Sequence, residues 1–402
     1  MTPLPLDEID PVALAQALVR VDSRNPGLVP GAPGEGTVAE LLANVLARWG
    51  FRVALQEVTP GRPNVIARIG AARPGAPTLL FNGHLDVVGT DGMTHPPFDA
   101  TIAEGRLYGR GAADMKAGIA AMCAAAARAA SLDGGLAGEI IVAAVIDEEF
   151  ESRGTQHLVA SGVRADAAIV TEPTGLAIMP AHRGFVWIDV VCHGRAAHGS
   201  RWEIGIDAIR HAGLILAELD RLDAEELPLV QHPLLGRGSL HASLIEGGTG
   251  MSTYPDRCVL KLERRTLPGQ SPADALAEVR AACERVRERQ PTLQAEVRVQ
   301  FAQQPSDVDP AAPIVEQLAG ALAPELPAHI EGMSAWTDCA ILNAAGIPAI
   351  CFGPGDIALA HAAVEWVSIA EIEQATRVLT RLAQRWCGTG SGTPARLSMA
   401  AR

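Results

Sequence analysis

Two adjacent carboxylates at the end of an apolar run have the clearest chemical meaning in this sequence. The run Ile140–Asp147 is typical of a buried strand, and Glu148 and Glu149 follow it directly. Buried carboxylates must be paired or bound to a metal, because an isolated buried charge is costly. Neighbouring side chains point apart, so one can bind a metal while the other acts as a general base. The alternative is a solvated acidic turn.

A histidine and an aspartate follow another apolar run. His84 and Asp86 come after residues 78–81 and lie two positions apart. On an extended strand both side chains face the same side. His84 can then bind a metal while Asp86 holds the imidazole in the required tautomer. A loop histidine beside a capping aspartate is the alternative interpretation.

Three further residues stand where a metal ligand could lie. Asp114 follows a glycine-rich segment at the predicted start of a helix, where it is either an N-cap or a ligand. Glu172 follows the apolar run 167–170, and is otherwise a carboxylate in a turn. His361 follows a Gly-Pro-Gly loop at 353–355, although a lone histidine is usually structural.

Taken together, these positions provide two histidines and three carboxylates, with one carboxylate to spare. Mixed nitrogen and oxygen ligands suit zinc, and cobalt or manganese also fit. Five ligand residues are too many for one tetrahedral site that keeps a water. They suit two metal ions about 3.5–4 Å apart that share a bridging carboxylate.

Length, charge and cysteine usage limit the class of protein. A chain of 402 residues predicts two domains, and a formal charge of −13 argues against nucleic acid or an anionic membrane as a partner. The seven cysteines are scattered and never spaced as CxxC, which indicates reduced thiols in a cytoplasmic protein. The N-terminus lacks a signal-peptide pattern, and the apolar stretch 117–130 indicates a core helix.

The pattern of elements predicts an α/β fold with an inserted domain. Strands alternate with helices over residues 1–180, which indicates a mostly parallel twisted sheet flanked by helices. Residues 181–295 follow the order β-α-β-β-α-β of a ferredoxin-like α+β domain. Residues 296–387 return to the first pattern, and the Gly-, Ser-, Thr- and Ala-rich tail 388–402 is expected to be disordered.

Five ordered motifs resemble the dinuclear zinc amidohydrolases and metallopeptidases that include acetylornithine deacetylase, succinyl-diaminopimelate desuccinylase, aminoacylase and carboxypeptidase G. The resemblance extends from about residue 11 to 386. Its motifs are Gly-His-Leu-Asp-Val-Val at 83–88, Gly-Arg-Gly-Ala-Ala-Asp-Met-Lys at 109–116, Glu-Glu at 148–149, Glu-Pro at 172–173, and the Gly-Pro-Gly-Asp…His…Glu run at 353–365.

The resemblance implies a role for each of these residues. One Zn²⁺ is expected to be bound by His84 and Glu172, and a second by Glu149 and His361. Asp114 is expected to bridge the two ions. Glu148 is implied as the general base and Asp86 as the residue that orients His84. The fold it implies is a zinc-peptidase-like catalytic domain with an inserted lid and dimerisation domain.

The inserted domain is expected to contribute to substrate binding. His198, in Gly194–Ser200, resembles a family histidine that reaches the partner subunit's active site and stabilises the oxyanion. This implies a homodimer through residues 181–295. Arg265 matches the arginine that holds the substrate carboxylate, although Arg264 could take that role. Ser252 replaces an asparagine common in the family, so the substrate is less certain than the reaction type.

Gly353 and Gly355 are expected to help anchor the substrate carboxylate. The predicted function is hydrolysis of the amide bond of an N-acyl-amino acid by a water that two zinc ions activate. Dipeptidase or carboxypeptidase activity at the same site is an alternative, with a dipeptide as substrate. A regulatory metal-binding protein without catalysis is a second alternative, although retention of Glu148 argues against it.

Overall fold

The computed structural model describes residues 6–71, 73–132 and 134–388, and it divides into two units. Of the described residues, the first comprises those up to Pro180, Val308–Glu331, and those from Thr337 to Gly388. The second comprises Ala181–Asp307 and Gly332–Trp336. It extends beyond the expected boundary at 295, because the strand Gln294–Gln303 pairs along its length with a strand of the same unit. The predicted disorder of the tail falls outside the described residues, apart from Gly388.

The strands, in chain order, have the following bounds: β1 Arg52–Thr59, β2 Arg62–Gly70, β3 Thr78–His84, β4 Thr101–Ala103, β5 Arg106–Tyr108, β6 Glu139–Val145, β7 Ala167–Val170, β8 Ile178–His182, β9 Gly184–His193, β10 Gln231–His232, β11 Gly236–Arg237, β12 Ser239–Gly247, β13 Arg257–Thr266, β14 Gln294–Gln303, β15 Ser306–Asp307, β16 Ile330–Met333, β17 Ala349–Cys351 and β18 Trp366–Ser368.

The α-helices, in chain order, are α1 Pro11–Val19, α2 Gly36–Arg48, α3 Ala117–Ser131, α4 Arg153–Ala160, α5 Ala208–Arg221, α6 Pro272–Arg289, α7 Pro313–Leu322, α8 Cys339–Ala344 and α9 Ile369–Cys387. Capping side chains explain where two of these helices begin. Asp10 accepts hydrogen bonds from two backbone amides at the start of α1, and Ser271 and Asp274 form a capping box on α6. Helix α4 was not predicted, because its first turn is polar and follows a run of charged residues.

The main sheet of the first unit has the order β1-β2-β6-β3-β7-β17-β8. The central strands β6, β3, β7 and β17 are parallel, and the strands at both sides are antiparallel. Every residue of β6 and β7 is buried, as expected for strands covered on both faces. Helix α3 packs against α1 and α9 and is almost entirely buried, which its alanine-rich sequence permits. The predicted α/β class with a mainly parallel sheet is confirmed.

The second unit contains a four-stranded antiparallel sheet of order β12-β13-β9-β14. Helices α5 and α6 contact this sheet, and alternate residues of β9 (Val186, Ile188 and Val190) belong to the core that they share. The order β9-α5-β12-β13-α6-β14 is the ferredoxin-like order that the sequence predicts.

All seven cysteines are buried and none forms a disulfide, in keeping with the prediction of reduced thiols. In the described part of the chain, every helix is too short or too polar to traverse a lipid bilayer.

Candidate metal and catalytic centre

The parallel strands of the first unit deliver the candidate ligands to one edge of the sheet. His84 is the last residue of β3, Glu148 and Glu149 follow β6, and Glu172 follows β7. Carboxyl ends of parallel strands meet at a common edge, where α/β proteins place their sites. Asp114 lies between β5 and α3 with extended backbone dihedrals (φ −117°, ψ 94°).

Asp114 lies between the two histidines. Its Oδ1 is 3.1 Å from Nε2 of His84, and its Oδ2 is 3.4 Å from Nε2 of His361. The same nitrogen of His361 lies 3.0 Å from Oε2 of Glu149. His361 itself adopts a left-handed backbone conformation (φ 59°). Each oxygen of Asp114 therefore faces a different histidine, as a bridging ligand requires.

Two groups of possible metal ligands share Asp114. His84, Asp114 and Glu172 form one group, and Asp114, Glu149 and His361 form the other. Within each group the ligand atoms lie within 4.8 Å of one another. The structure thus brings together all five ligand residues that the sequence suggested, in the pairs that the resemblance implied.

The charge balance of this cluster favours a cation. The side chains of Asp114, Glu148, Glu149 and Glu172 are at most 10% exposed. Among the described residues, the two histidines are the only basic side chains within ion-pair distance of these carboxylates. Buried carboxylates in excess of nearby positive charge are unfavourable unless a metal ion balances them.

The pKa values of the cluster reflect the same imbalance. Burial opposes protonation of His84, but the hydrogen bond to Asp114 and the charges of Glu148 and Glu172 raise its pKa well above the usual value. Hydrogen bonds to Asp114 and Glu149 raise the pKa of His361 to about 10. Burial, followed by the nearby charge of Glu172, raises the pKa of Glu148 well above its usual range. The site thus attracts positive charge strongly.

The donor atoms fit a pair of divalent transition-metal ions. Nδ1 of His84 donates a hydrogen bond to the backbone carbonyl of Asp86 (2.9 Å), so Nε2 is the nitrogen that faces the carboxylates. Imidazole and carboxylate together are typical zinc ligands, and a hydrogen bond on the second ring nitrogen is the usual arrangement.

The role predicted for the Asp86 carboxylate needs correction. It is the backbone carbonyl of Asp86 that orients His84, while the carboxylate lies 3.6 Å from the ring. That carboxylate instead accepts the backbone amides of Glu148 and Glu149, each at 3.1 Å. The strand end carrying Asp86 turns its side chain toward the loop after β6. Asp86 therefore holds the backbone of both glutamates.

Glu365, a residue with no role predicted from the sequence, is fully buried beside the centre. One of its oxygens accepts the amides of Ala113 and Asp114, at 3.0 and 3.1 Å. The other accepts the amide of Gly111 (3.0 Å) and Nη1 of Arg110 (2.7 Å). Glu365 therefore fixes the backbone of the segment that carries Asp114. In the sequence, the position of Glu365 at the end of the 353–365 motif was the one indication of such a role.

A second buried network behind Asp86 was also missed. Asn25 donates to the carboxylates of Asp86 (2.8 Å) and Asp147 (3.1 Å). Arg62 pairs with Glu35 (2.5 Å) and with Asp147 (3.0 Å). Asp147 precedes Glu148 and has a left-handed backbone (φ 67°). The network thus supports the unusual conformation in which the chain enters the Glu148–Glu149 pair.

The two glycines of the 353–355 loop contribute through close packing. The amide of Gly353 donates to Oγ1 of Thr174 (3.1 Å), and that of Gly355 donates to Glu371 (2.8 Å). Both amides already donate to protein oxygens, so the expected binding of the substrate carboxylate by Gly353 and Gly355 has no free backbone donor. A Cβ at Gly353 would lie 2.5 Å from the carbonyl oxygen of Glu172. Glycine therefore lets this loop approach the strand end that bears Glu172.

In the second unit, the structure brings His198 and Ser252 onto neighbouring loops. The backbone carbonyl of Ser252 accepts a hydrogen bond from the amide of Gly199 (2.7 Å). The backbones of His198 and Thr253 form an isolated antiparallel β-bridge. Nδ1 of His198 lies 2.8 Å from the hydroxyl of Ser200, and the side chain is exposed. The imidazole is thus available on the surface of this unit.

The two candidate arginines lie on opposite faces of the sheet in the second unit. Arg264 is buried, and its guanidinium is paired with Glu278 on α6 at 2.8 and 3.1 Å. Arg265 faces the other side and is partly exposed, with Nε 2.6 Å from Glu263. Arg264 is therefore committed to the core, and Arg265 remains the candidate for a substrate carboxylate.

Comparison with protein families gives a match over most of the chain. The family model described as peptidase family M20/M25/M40 matches residues 80–385. An acetylornithine deacetylase of Myxococcus xanthus is 31% identical over 332 residues, which cover 81% of this chain and 84% of the relative. An N-formyl-4-amino-5-aminomethyl-2-methylpyrimidine deformylase of Halalkalibacterium halodurans is 28% identical, with 94% of each chain covered.

Solved structures support the same fold. A protein of Bacillus subtilis, described as a dinuclear metal-binding peptidase of the M20 family, superposes with a TM-score of 0.71. The alignment covers 93% of this chain and 96% of that structure, at 16% sequence identity. At this identity the likeness concerns the fold alone.

Proposed function

This chain belongs to peptidase family M20/M25/M40 and is a hydrolytic enzyme, and we propose that it cleaves the amide bond of an N-acyl-amino acid. The observation that carries the proposal is the position of Glu148. Its buried carboxylate lies 3.9 Å from Nε2 of His84 in the first group of candidate metal ligands and next in sequence to Glu149 of the second, but it belongs to neither group. A carboxylate spared in this way suits a general base. Relatives that remove acyl groups support this reaction type.

The proposed cofactor is a pair of zinc ions, with cobalt or manganese as substitutes. His84 and Glu172 would hold one ion, and Glu149 and His361 would hold the other. Asp114 would bind both ions. When bound, these cations would polarise the scissile carbonyl and lower the pKa of a water molecule. The two oxygens of Asp114, directed at different histidines, support this assignment.

Glu148 would move a proton twice in each reaction. It accepts a proton from the water that attacks the carbonyl carbon, and then donates it to the amide nitrogen as the C–N bond breaks. The hydrogen bonds from the amides of Glu148 and Glu149 to Asp86 keep the two carboxylates in fixed, separate positions. The products are the acyl carboxylate and the free amino group.

Two residues of the second unit would act on the substrate. His198 is proposed to donate a hydrogen bond to the developing oxyanion, from one subunit to the site of its partner. Arg265 is proposed to bind the free carboxylate of the amino acid, because a guanidinium can hold a carboxylate through two parallel hydrogen bonds. Ser252, whose loop adjoins that of His198, is proposed to contact the substrate through its hydroxyl.

A homodimer through the second unit is part of the proposal. Strand β12 lies at the edge of its sheet and is exposed along most of its length, with Leu244 and Ile245 about half exposed. Ile209 on α5 is also exposed. A long apolar edge strand is prone to pair with another chain. Pairing of two β12 strands would cover this edge.

The direct test is hydrolysis by protein reconstituted with zinc. The substrate panel comprises N-acetylornithine, N-succinyl-diaminopimelate and a set of dipeptides, and release of the free amino group is measured with and without a chelator. We expect zinc-dependent release from at least one N-acyl-amino acid. Turnover of dipeptides alone would favour the peptidase alternative, and zinc binding without any turnover would contradict the proposal.

A further inference from the structure

A cluster of aromatic side chains lies on the sheet face of the second unit that α5 and α6 do not cover. Phe185 and Trp187 of β9 have ring centroids 5.4 Å apart, and Phe301 of β14 lies 5.9 and 5.6 Å from them. Trp336 packs edge-on against Phe185 at 6.3 Å. We call these four residues the aromatic patch. Aromatic residues make up only 4% of the chain, so their concentration here is notable.

A β-bulge places Phe301 in this patch. In β14, Val299 pairs opposite Ile188, whose side chain belongs to the helix-covered core. Simple alternation would turn Phe301 toward that same core. The register shifts between Val299 and Phe301, so Phe301 pairs opposite Trp187 on the uncovered face. Bulges commonly re-aim a side chain next to a functional site.

The patch occupies only one end of the sheet face. Next to the patch on the same face, Asp189 accepts a hydrogen bond from Gln300 (2.9 Å), and Lys261 pairs opposite it in β13; the buried pair Val191 and Val259 follows. A solvated sheet face normally carries polar residues throughout. Trp187 is nevertheless 44% exposed. Its exposed ring surface offers an apolar contact to a ligand.

Positive charge lies at the edge of the patch. The Cζ atom of Arg265 is 5.4 Å from the ring centroid of Phe185. Glu263 binds both the Nε of Arg265 (2.6 Å) and the indole nitrogen of Trp187 (3.0 Å), which fixes the two side chains relative to each other. Of the three guanidinium nitrogens of Arg265, only Nε donates to an acceptor within the described part of the chain. The two terminal nitrogens can therefore bind a carboxylate.

We propose that the aromatic patch and Arg265 select N-acyl derivatives of aromatic amino acids, with the substrate ring packed on Trp187 and Phe301 and its carboxylate on Arg265. This inference rests on the proposed amidohydrolase function and adds the substrate class to it. The close approach of Arg265 to Phe185 favours a ligand whose ring and carboxylate are near each other. That condition fits the amino-acid side chain better than an aromatic acyl group.

The test compares three substrates on the zinc-loaded full chain: N-acetylphenylalanine, N-acetylalanine and N-benzoylalanine. We expect the wild type to prefer N-acetylphenylalanine to N-acetylalanine in kcat/KM. Trp187→Ala should lower that preference about tenfold, the scale of a lost aromatic contact. Trp187→Phe should retain most of it, because a ring remains. The matched control is Leu229→Ala, which removes another exposed apolar side chain from the same unit.

A binding measurement separates this inference from the proposed function. In Glu148→Gln, calorimetry measures Kd for N-acetylphenylalanine and N-acetylalanine without turnover, and adding Trp187→Ala should weaken only the former. Equal preference in wild type and Trp187→Ala would overturn the inference and leave the amidohydrolase proposal intact. Sensitivity confined to N-benzoylalanine would also overturn it, because the ring would then belong to the acyl group.

Discussion

Glu365 and Asp114 are joined by a hydrogen bond of 3.1 Å from the backbone amide of Asp114 to Oε1 of Glu365, across 251 positions of sequence. The same carboxylate receives three other donors from residues 110–113. The proposed bridging ligand is therefore oriented by a residue that belongs to neither group of candidate ligands. Partners of this kind commonly tune the affinity of a metal centre.

Replacement of Glu365 by glutamine should weaken zinc binding about 10- to 100-fold, the usual effect of losing such a partner. The amide group of glutamine would face two N–H donors that now bind a carboxylate oxygen, and the buried Arg110 would lose its charge partner. The measurement is competition for zinc with a chromophoric chelator. Glu40→Gln, on the exposed face of α2, is the control. Unchanged zinc affinity in Glu365→Gln would refute the positioning role.

Glu148→Gln should lower kcat by about 10²- to 10⁴-fold, the range for loss of a general base. Glutamine keeps the shape of the side chain but cannot accept the proton from water. The zinc content should stay at the wild-type value, because Glu148 belongs to neither ligand group. Glu151→Gln, a nearby and more exposed carboxylate, is the control. Full hydrolysis by a zinc-loaded Glu148→Gln protein would remove Glu148 from the mechanism.

The folding stability of the second unit should depend on pH through Glu218. Burial alone would raise the pKa of this carboxyl, but hydrogen bonds from Arg221, Arg285 and Arg289 lower it to about 2. A lowered pKa in the folded state stabilises the protein above the unfolded value of 4.5, and this stabilisation is lost as the pH falls toward 2.

The check is urea unfolding of wild type and Glu218→Gln between pH 7 and pH 3. We expect the wild type to be more stable at pH 7, and the difference to shrink below about pH 4.5. Glu288→Gln, an exposed residue of the neighbouring helix α6, should show no such trend. A difference that stays constant down to pH 3 would contradict the assignment.

Mixing two inactive variants tests whether His198 acts on the partner subunit. Glu148→Gln and His198→Ala should each be nearly inactive alone. After mixing and exchange of subunits, a mixed dimer has one site with both groups intact, so about a quarter of wild-type activity should return. Leu244→Lys with Ile245→Lys should give a monomer in sedimentation analysis and abolish this recovery. Activity of a stable monomer equal to wild type would rule out action across subunits.

The sequence predicted the architecture well because its signals were local. Apolar runs such as 140–146 and the alanine-rich stretch at 117–130 identify buried strands and a core helix without reference to distant residues. The convergence of His84, Glu149 and Glu172 followed from one rule, that parallel strands end at the same edge of a sheet. The boundary after residue 295 was placed too early, because β14 continues to Gln303.

Interactions between distant residues were not predictable in the same way. Whether the side chain or the backbone carbonyl of Asp86 meets His84 depends on how the chain turns after β3, and spacing alone does not determine that turn. Nothing local shows that Arg62 and Glu35 support Asp147. The β-bulge before Phe301 reverses the face expected from alternation, so the aromatic patch was also beyond the sequence pattern.

The burial of all seven cysteines gives the protein a built-in reporter of opening. A thiol reagent can modify these side chains only when the surrounding structure separates, so the labelling rate of the native protein measures local and global unfolding. A single cysteine introduced on the surface would react far ahead of them. A fluorophore could then be attached at one chosen position without removing any natural residue.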